Sequence, residues 1–131
     1  MKNPILILII FLIASFAHAQ VKSDVPTQSS SNNENVTYRL FPTTNIYNFI
    51  KLDTRNGKMW QVQWATESDK RFTTDLSLIP LVAKEDEKNG RFILQATQNI
   101  YNFILIDQID GRTWQVQWSF DPEKRVVVAI N

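Results

Sequence analysis

One stretch of this chain is written twice. Asn45-Ile46-Tyr47-Asn48-Phe49-Ile50 returns as Asn99-Ile100-Tyr101-Asn102-Phe103-Ile104, and Trp60-Gln61-Val62-Gln63-Trp64 returns as Trp114-Gln115-Val116-Gln117-Trp118. Both pairs share an offset of 54 (45 to 99, 60 to 114), so a whole unit is duplicated. One copy spans residues 38–77, the other 92–131, and residues 78–91 join them. A lone hairpin is marginal in water, so two such short units must bury their apolar faces on one another.

The periodicity inside each copy is that of strands. In Trp60-Gln61-Val62-Gln63-Trp64 the tryptophans and the valine share one face and the glutamines the other, and Trp114, Val116 and Trp118 repeat this. The run from Ile46 to Asp53 is apolar on both faces and reads as a more central strand. Asn56-Gly57 and Asp110-Gly111 then mark hairpin turns, because glycine takes the positive φ such turns demand. Flanking strands are expected over 37–43, 71–76, 91–97 and 125–130. The fold class is therefore all-β: two tandem meanders of three to four strands, packed with pseudo-two-fold symmetry as a small sandwich or barrel. The two Trp-Val-Trp stripes are expected to face each other across the core. In the joining segment, Leu78-Ile79-Pro80-Leu81-Val82 is apolar and Lys84-Glu85-Asp86-Glu87-Lys88 is charged, with a short helical turn expected after Pro80.

The hairpin Ile46-Tyr47…Leu52-Asp53-Thr54-Arg55-Asn56-Gly57-Lys58-Met59-Trp60 resembles the strand-turn-strand signature of quinoprotein-type β-propeller blades. Those read aromatic, then Leu-Asp-x-x-x-Gly-Lys-x-x-Trp. Trp60 follows Lys58 by two positions rather than three, and the second copy matches more loosely through Ile106-Asp107…Gly111-Arg112-Thr113-Trp114. The resemblance covers about fourteen residues per copy and is accounted for by shared turn mechanics: an Asp side chain bonding turn N–H groups and a Gly at positive φ. Closed propellers need at least about four blades. Two copies cannot close such a ring, so no quinone cofactor is expected and no family site residue is carried over.

The ends and the composition narrow the chemistry. Lys2, the apolar run from Ile5 to Ala17 and the Ala17-His18-Ala19 pattern read as a signal peptide over residues 1–19, which implies a secreted or periplasmic protein. The apolar run is shorter than the roughly 20 residues a membrane-spanning helix needs, so no stable membrane insertion is expected after cleavage. Residues 20–37 carry almost no large apolar side chain and read as a disordered linker. Without Lys2 the basic and acidic residues balance at 13 each, which leaves no long-range attraction for nucleic acid. There is no cysteine, and the single histidine, His18, lies in the signal. Ser-His-Asp and Cys-His triads, imidazole acid–base catalysis and Cys/His zinc sites are all removed. No cofactor and no metal site are expected.

Two sets of residues remain. Trp60, Trp64, Trp114 and Trp118, with Tyr47 and Tyr101, are a dense aromatic set that serves either as core or as a surface for stacking on a sugar or anchoring a protein. Asp53 and Asp107, with Gly57 and Gly111, read as turn caps in each copy; the two carboxylates are also the only symmetric candidates for glycoside hydrolysis. Asn48 and Asn102 lie in phase with the isoleucines and are expected at a bulge. The copies also differ: Lys51 becomes Leu105, Arg55 becomes Ile109, Thr66 becomes Phe120, and Thr73-Thr74 becomes Val127-Val128. The second copy is the greasier, and its last strand, Arg125 to Ile130, must be central, covered or shared. A homodimer through the second repeat follows as an expectation. The function expected is that of an exported, non-enzymatic module that binds a protein or glycan outside the cytoplasm. The alternatives are a carboxylate-dependent glycan hydrolase and a purely structural surface component.

Overall fold

The computed structural model describes residues 35–131; the expected signal segment and the linker up to residue 34 lie outside the described residues. The alternating runs are strands. β1 (Tyr38–Pro42), β2 (Asn48–Asp53), β3 (Met59–Gln63) and β4 (Phe72–Ser77) make one antiparallel meander. β5 (Phe92–Ala96), β6 (Asn102–Asp107), β7 (Thr113–Gln117) and β8 (Val126–Ile130) make a second, with strands again ordered as in the sequence. Phe49 pairs with Val62 in the first sheet and Phe103 with Val116 in the second, so the registers repeat with the sequence. The fold is an all-β sandwich of two open four-stranded sheets, and no α-helix occurs among the described residues. The turn in the joining segment is a single 3₁₀ turn at Lys84–Asp86.

Several identical residues of the two copies make the same bonds. The Asn45 Oδ1 accepts from the Tyr47 N–H at 2.9 Å, and the Asn99 Oδ1 from the Tyr101 N–H at 3.0 Å. The Trp64 indole donates to the Ile46 carbonyl at 2.9 Å, and the Trp118 indole to the Ile100 carbonyl at 3.0 Å. The Gln63 and Gln117 side chains each donate to a carbonyl of the following turn, Lys70 and Lys124, at 2.9 Å. Each bond satisfies a group that the strand ladder leaves unpaired. What the repeat preserves is thus a scaffold for two hairpins.

Asn48 and Asn102 are not at a bulge. Both sit in regular ladder positions, opposite Gln63 and Gln117, and each accepts from a cross-strand glutamine: Gln61 at 3.2 Å and Gln115 at 2.8 Å. The cross-strand amide satisfies the side chain without any extra residue in the strand. The register shift lies instead between Met59 and Trp60, where β3 meets β4.

The faces that meet also differ from the expectation. Ile50, Leu52, Met59 and Gln61 of the first copy point inward, and these lie on the glutamine face. The second copy turns its other face in, burying Phe103, Leu105, Trp114, Val116 and Trp118. One Trp-Val-Trp stripe is core and the other is not. The physical reason lies at position 51, where Lys51 occupies the place of the wholly buried Leu105. An ammonium there would have to be desolvated without a partner. The sheets therefore stack face to back.

The joining segment seals one end of the sandwich. The Leu81 N–H donates to the Asn56 carbonyl at 2.8 Å, and the Leu81 side chain lies against Gly57. The buried Thr54 hydroxyl accepts from the Gly90 N–H at 2.9 Å and donates to the Val36 carbonyl at 2.7 Å. Gly57 and Gly111 hold φ of +81° and +79°, but a Cβ on Gly57 would lie 2.7 Å from Leu81 Cδ1, while one on Gly111 would meet nothing within 4 Å. Gly111→Ala is expected to cost about 1–2 kcal/mol for the backbone conformation alone. Gly57→Ala should cost more, because the Leu81 side chain, packed against the core, must turn away from the new methyl. Urea unfolding of the two variants measures this, and equal losses would contradict it.

Candidate functional site

The outer face of the first sheet is built by strand parity. The registers put Tyr38 and Leu40 of β1, Phe49 and Lys51 of β2, and Trp60 and Val62 of β3 on one side. Trp64 continues the β3 alternation, 47% exposed, with the Tyr47 ring 5.2 Å away. Trp60 is half-buried, with Tyr38 edge-on to it at 6.4 Å and the Lys51 ammonium 4.6 Å above its ring. An ammonium over an indole face is held by the ring quadrupole, and its stem covers the neighbouring apolar surface. Beside Tyr47 a cleft of about 340 Å³ is lined by Gln63, Ala65, Thr66, Glu67 and Lys70.

Of the six aromatic candidates, the fold brings Tyr47, Trp60 and Trp64 together on this face. Trp114 and Trp118 are in the core, where Trp114 packs against Phe92 and Trp118 against Tyr101 and Phe120. Tyr101 is exposed on the far copy. Tyr38, Leu40 and Lys51 were missed as partners of the tryptophans. Their signal was available as the parity of β1 and β2 relative to β3, which becomes readable once the hairpin registers are fixed.

Asp53 and Asp107 are turn residues with guanidinium partners. The Asp53 Oδ1 accepts from the Arg55 N–H at 3.0 Å, and the Arg55 side chain closes on both of its oxygens at 3.0 and 2.8 Å. The Asp107 carboxylate, wholly buried, accepts from Arg91 at 2.9 and 3.0 Å, from Arg112 at 3.4 Å and from the Ile109 N–H at 3.0 Å. Burial pushes both carboxyls up, but the arginine and backbone N–H bonds outweigh it and leave both below the usual carboxylate range. Glu87, which accepts from the Asn56 amide at 2.9 Å and pairs with Lys84, is also lowered. Among the described residues no group of three or more Asp, Glu, His or Cys side chains is placed to hold a metal ion. No helix among them is long and apolar enough to cross a membrane.

No protein-family model, curated protein or solved structure matches the chain.

Proposed function

We propose that the protein is an exported, non-enzymatic binding module that recognises a protein or glycan outside the cytoplasm through the outer face of its first sheet. The observation that carries this reading is that Tyr38, Leu40 and Trp64 are exposed and Trp60 half-buried on one face, beside the exposed Tyr47, while the equivalents of the first four in the second copy, Phe92, Leu94, Trp118 and Trp114, are core. A contiguous apolar face rich in Trp and Tyr is the composition of a binding surface. The hydrolase alternative is poorly served by the carboxylates. A general acid needs a raised pKa, whereas Asp53 and Asp107 are held ionised by arginines. The signal-like pattern of residues 1–19 supports a site of action outside the cytoplasm.

The test uses tryptophan emission. Acrylamide should quench Trp64 and part of Trp60 but not Trp114 or Trp118, and a bound partner should protect the quenchable fraction. Capture from the cell envelope or culture medium by the immobilised chain should be lost in Trp64→Ala. Capture of the same partner at the same level by Trp64→Ala and Trp60→Ala would remove the aromatic face from the reading.

A further inference from the structure

The sandwich is held by two different faces, and each face has an unused twin on the outside of the same molecule. Inside, Asn48, Ile50, Leu52, Gln61 and Leu76 of the first sheet lie buried against the second. The repeat equivalents of these five, at the 54-residue offset, are Asn102, Ile104, Ile106, Gln115 and Ile130. The β6, β7 and β8 registers put all five on the outer face of the second sheet together with Val128. Conversely, the second sheet buries Phe92, Leu94, Phe103, Trp114, Val116 and Trp118. Their equivalents are Tyr38, Leu40, Phe49, Trp60, Val62 and Trp64, the outer face of the first sheet.

From this we infer that the chain assembles head to tail with further copies of itself, the outer face of one protomer's second sheet seating on the outer aromatic face of the next protomer's first sheet. The inference rests on the aromatic face being a binding surface and names its partner as a second copy. The contact continues the sandwich's own interface: the sheets already stack face to back, and the next sheet in each direction presents the matching face. The polar pair that this interface buries is also ready-made. Gln61 donates to Asn48 at 3.2 Å in the buried interface, and Gln115 donates to Asn102 at 2.8 Å on the exposed face. Three outward positions of β6 and β8, Ile104, Val128 and Ile130, are apolar and between 37% and 49% exposed. Single scattered apolar residues are ordinary on a surface, but a sheet face of them is a docking surface. The opposing face departs from the core face at three polar positions, Lys51, Thr73 and Asp75; Lys51 lies over Trp60 at 4.6 Å, and desolvating its ammonium makes this contact weaker than the one inside the sandwich. A contact between two different faces is heterologous, so it closes into a ring or extends into a filament and does not stop at a symmetric dimer.

The experiment is a complementation by mass in solution, by light scattering or sedimentation, on the exported chain. Wild type should rise in mass with concentration beyond two chains. Leu40→Lys blocks the first-sheet face, where it lies opposite Lys51, and Ile104→Lys the second-sheet face, each placing an unpaired charge in the contact. Each variant alone should be monomeric, weakened by about a hundredfold or more. Mixed in equal amounts, the two should give a two-chain species, because one intact face of each kind remains to meet the other and nothing can add further. Leu40 is 51% and Val128 49% exposed, so Leu40→Lys, with Val128→Lys as a second tail variant, should leave the melting curve nearly intact. Wild type monomeric at hundreds of micromolar, or a dimer that only one of the two substitutions abolishes, would overturn the inference. If the chain is monomeric while Trp64→Ala still loses a captured partner, the self-assembly fails and the binding face stands. If wild type assembles but the mixture yields no two-chain species, the head-to-tail geometry is wrong.

Discussion

Trp118→Ala is expected to remove about 3–5 kcal/mol of stability, while Trp64→Ala, at the equivalent position of the other copy, removes less than half of that, about 1–2 kcal/mol. Both tryptophans donate their indole N–H to a carbonyl two strands' length upstream and both stack on a tyrosine, so their local bonds are the same. Burial separates them, Trp118 being 2% and Trp64 47% exposed, together with the edge-on Phe120 ring that Trp118 has and Trp64, with Thr66 at that position, lacks. An indole buries on the order of 150–250 Å², worth about 4–6 kcal/mol at 25 cal/mol per Å². Removing Trp118 also takes away the ring on which Tyr101 and Phe120, each about half-exposed, are packed. For a domain of this size the loss corresponds to a melting temperature lower by roughly 12 °C or more. Thermal and urea unfolding of the two variants measures the difference. Stripes packed on each other would make the two losses equal, so equal losses would refute the face-to-back stack.

That contrast also marks where the sequence ceased to be informative. The strands, their order and the tight turns were legible because each has a local cause. Alternation in Trp60 to Trp64 fixes a strand, and Gly57 and Gly111 fix turns. The repeat then carried each conclusion from one copy to the other. The inward face was not legible, because β2 and β6 are apolar on both sides. In β2 Phe49 competes with Ile50 and Leu52, and in β6 Phe103 and Leu105 compete with Ile104 and Ile106. A strand without a polar side gives no parity to read. The deciding signal lay in the differences between the copies. Lys51 for Leu105, Thr73 for Val127 and Asp75 for Ala129 all fall on one face by register, and all are polar in the first copy. The greasier second copy was visible in the sequence; sorting its substitutions by face required the hairpin registers. Of the candidate site, Trp60, Trp64 and Tyr47 could be named from the sequence, whereas separating them from Trp114 and Trp118 depends on that same choice of face. The arginines on the two aspartates were hidden for another reason. Asp53 takes its guanidinium from the turn, at Arg55, but Asp107 takes one from Arg91, sixteen residues upstream at the mouth of β5. A repeat that conserves the acid and relocates the base leaves no symmetric pattern to detect.

Asp107→Ala should be about as damaging as the loss of Trp118, by about 3–5 kcal/mol, because it strands a buried guanidinium. The Arg91 side chain is 9% exposed and bonds Asp107 through both Nε and a terminal nitrogen. Without the carboxylate it keeps the Asp86 carbonyl at 2.9 Å and a 3.6 Å contact to Asp110, neither of which replaces two short ionic bonds. Asp53→Ala should cost less, about 1–2 kcal/mol, since the Arg55 side chain is 33% exposed and can turn into water. The same pairs set the acid limit of the fold. Asp53 and Asp107 have folded pKa values below the ordinary carboxylate value, which is about 3.9 for the unfolded chain. In the acid range the unfolded state therefore binds more protons than the native one, and stability falls as pH falls. The contribution is fully present above about pH 5, declines as pH drops through about 4, and is gone only below the folded values. Urea midpoints measured between pH 7 and pH 2.5 should show a plateau followed by a steep decline. In Asp107→Asn, which keeps an oxygen for the Ile109 N–H but no charge, the plateau should be lower and the decline shallower. A variant as steep as wild type would mean that the Arg91 pair does not carry the acid sensitivity, and that weight would pass to Asp53, Glu67 and Glu87, whose carboxyls are lowered as well.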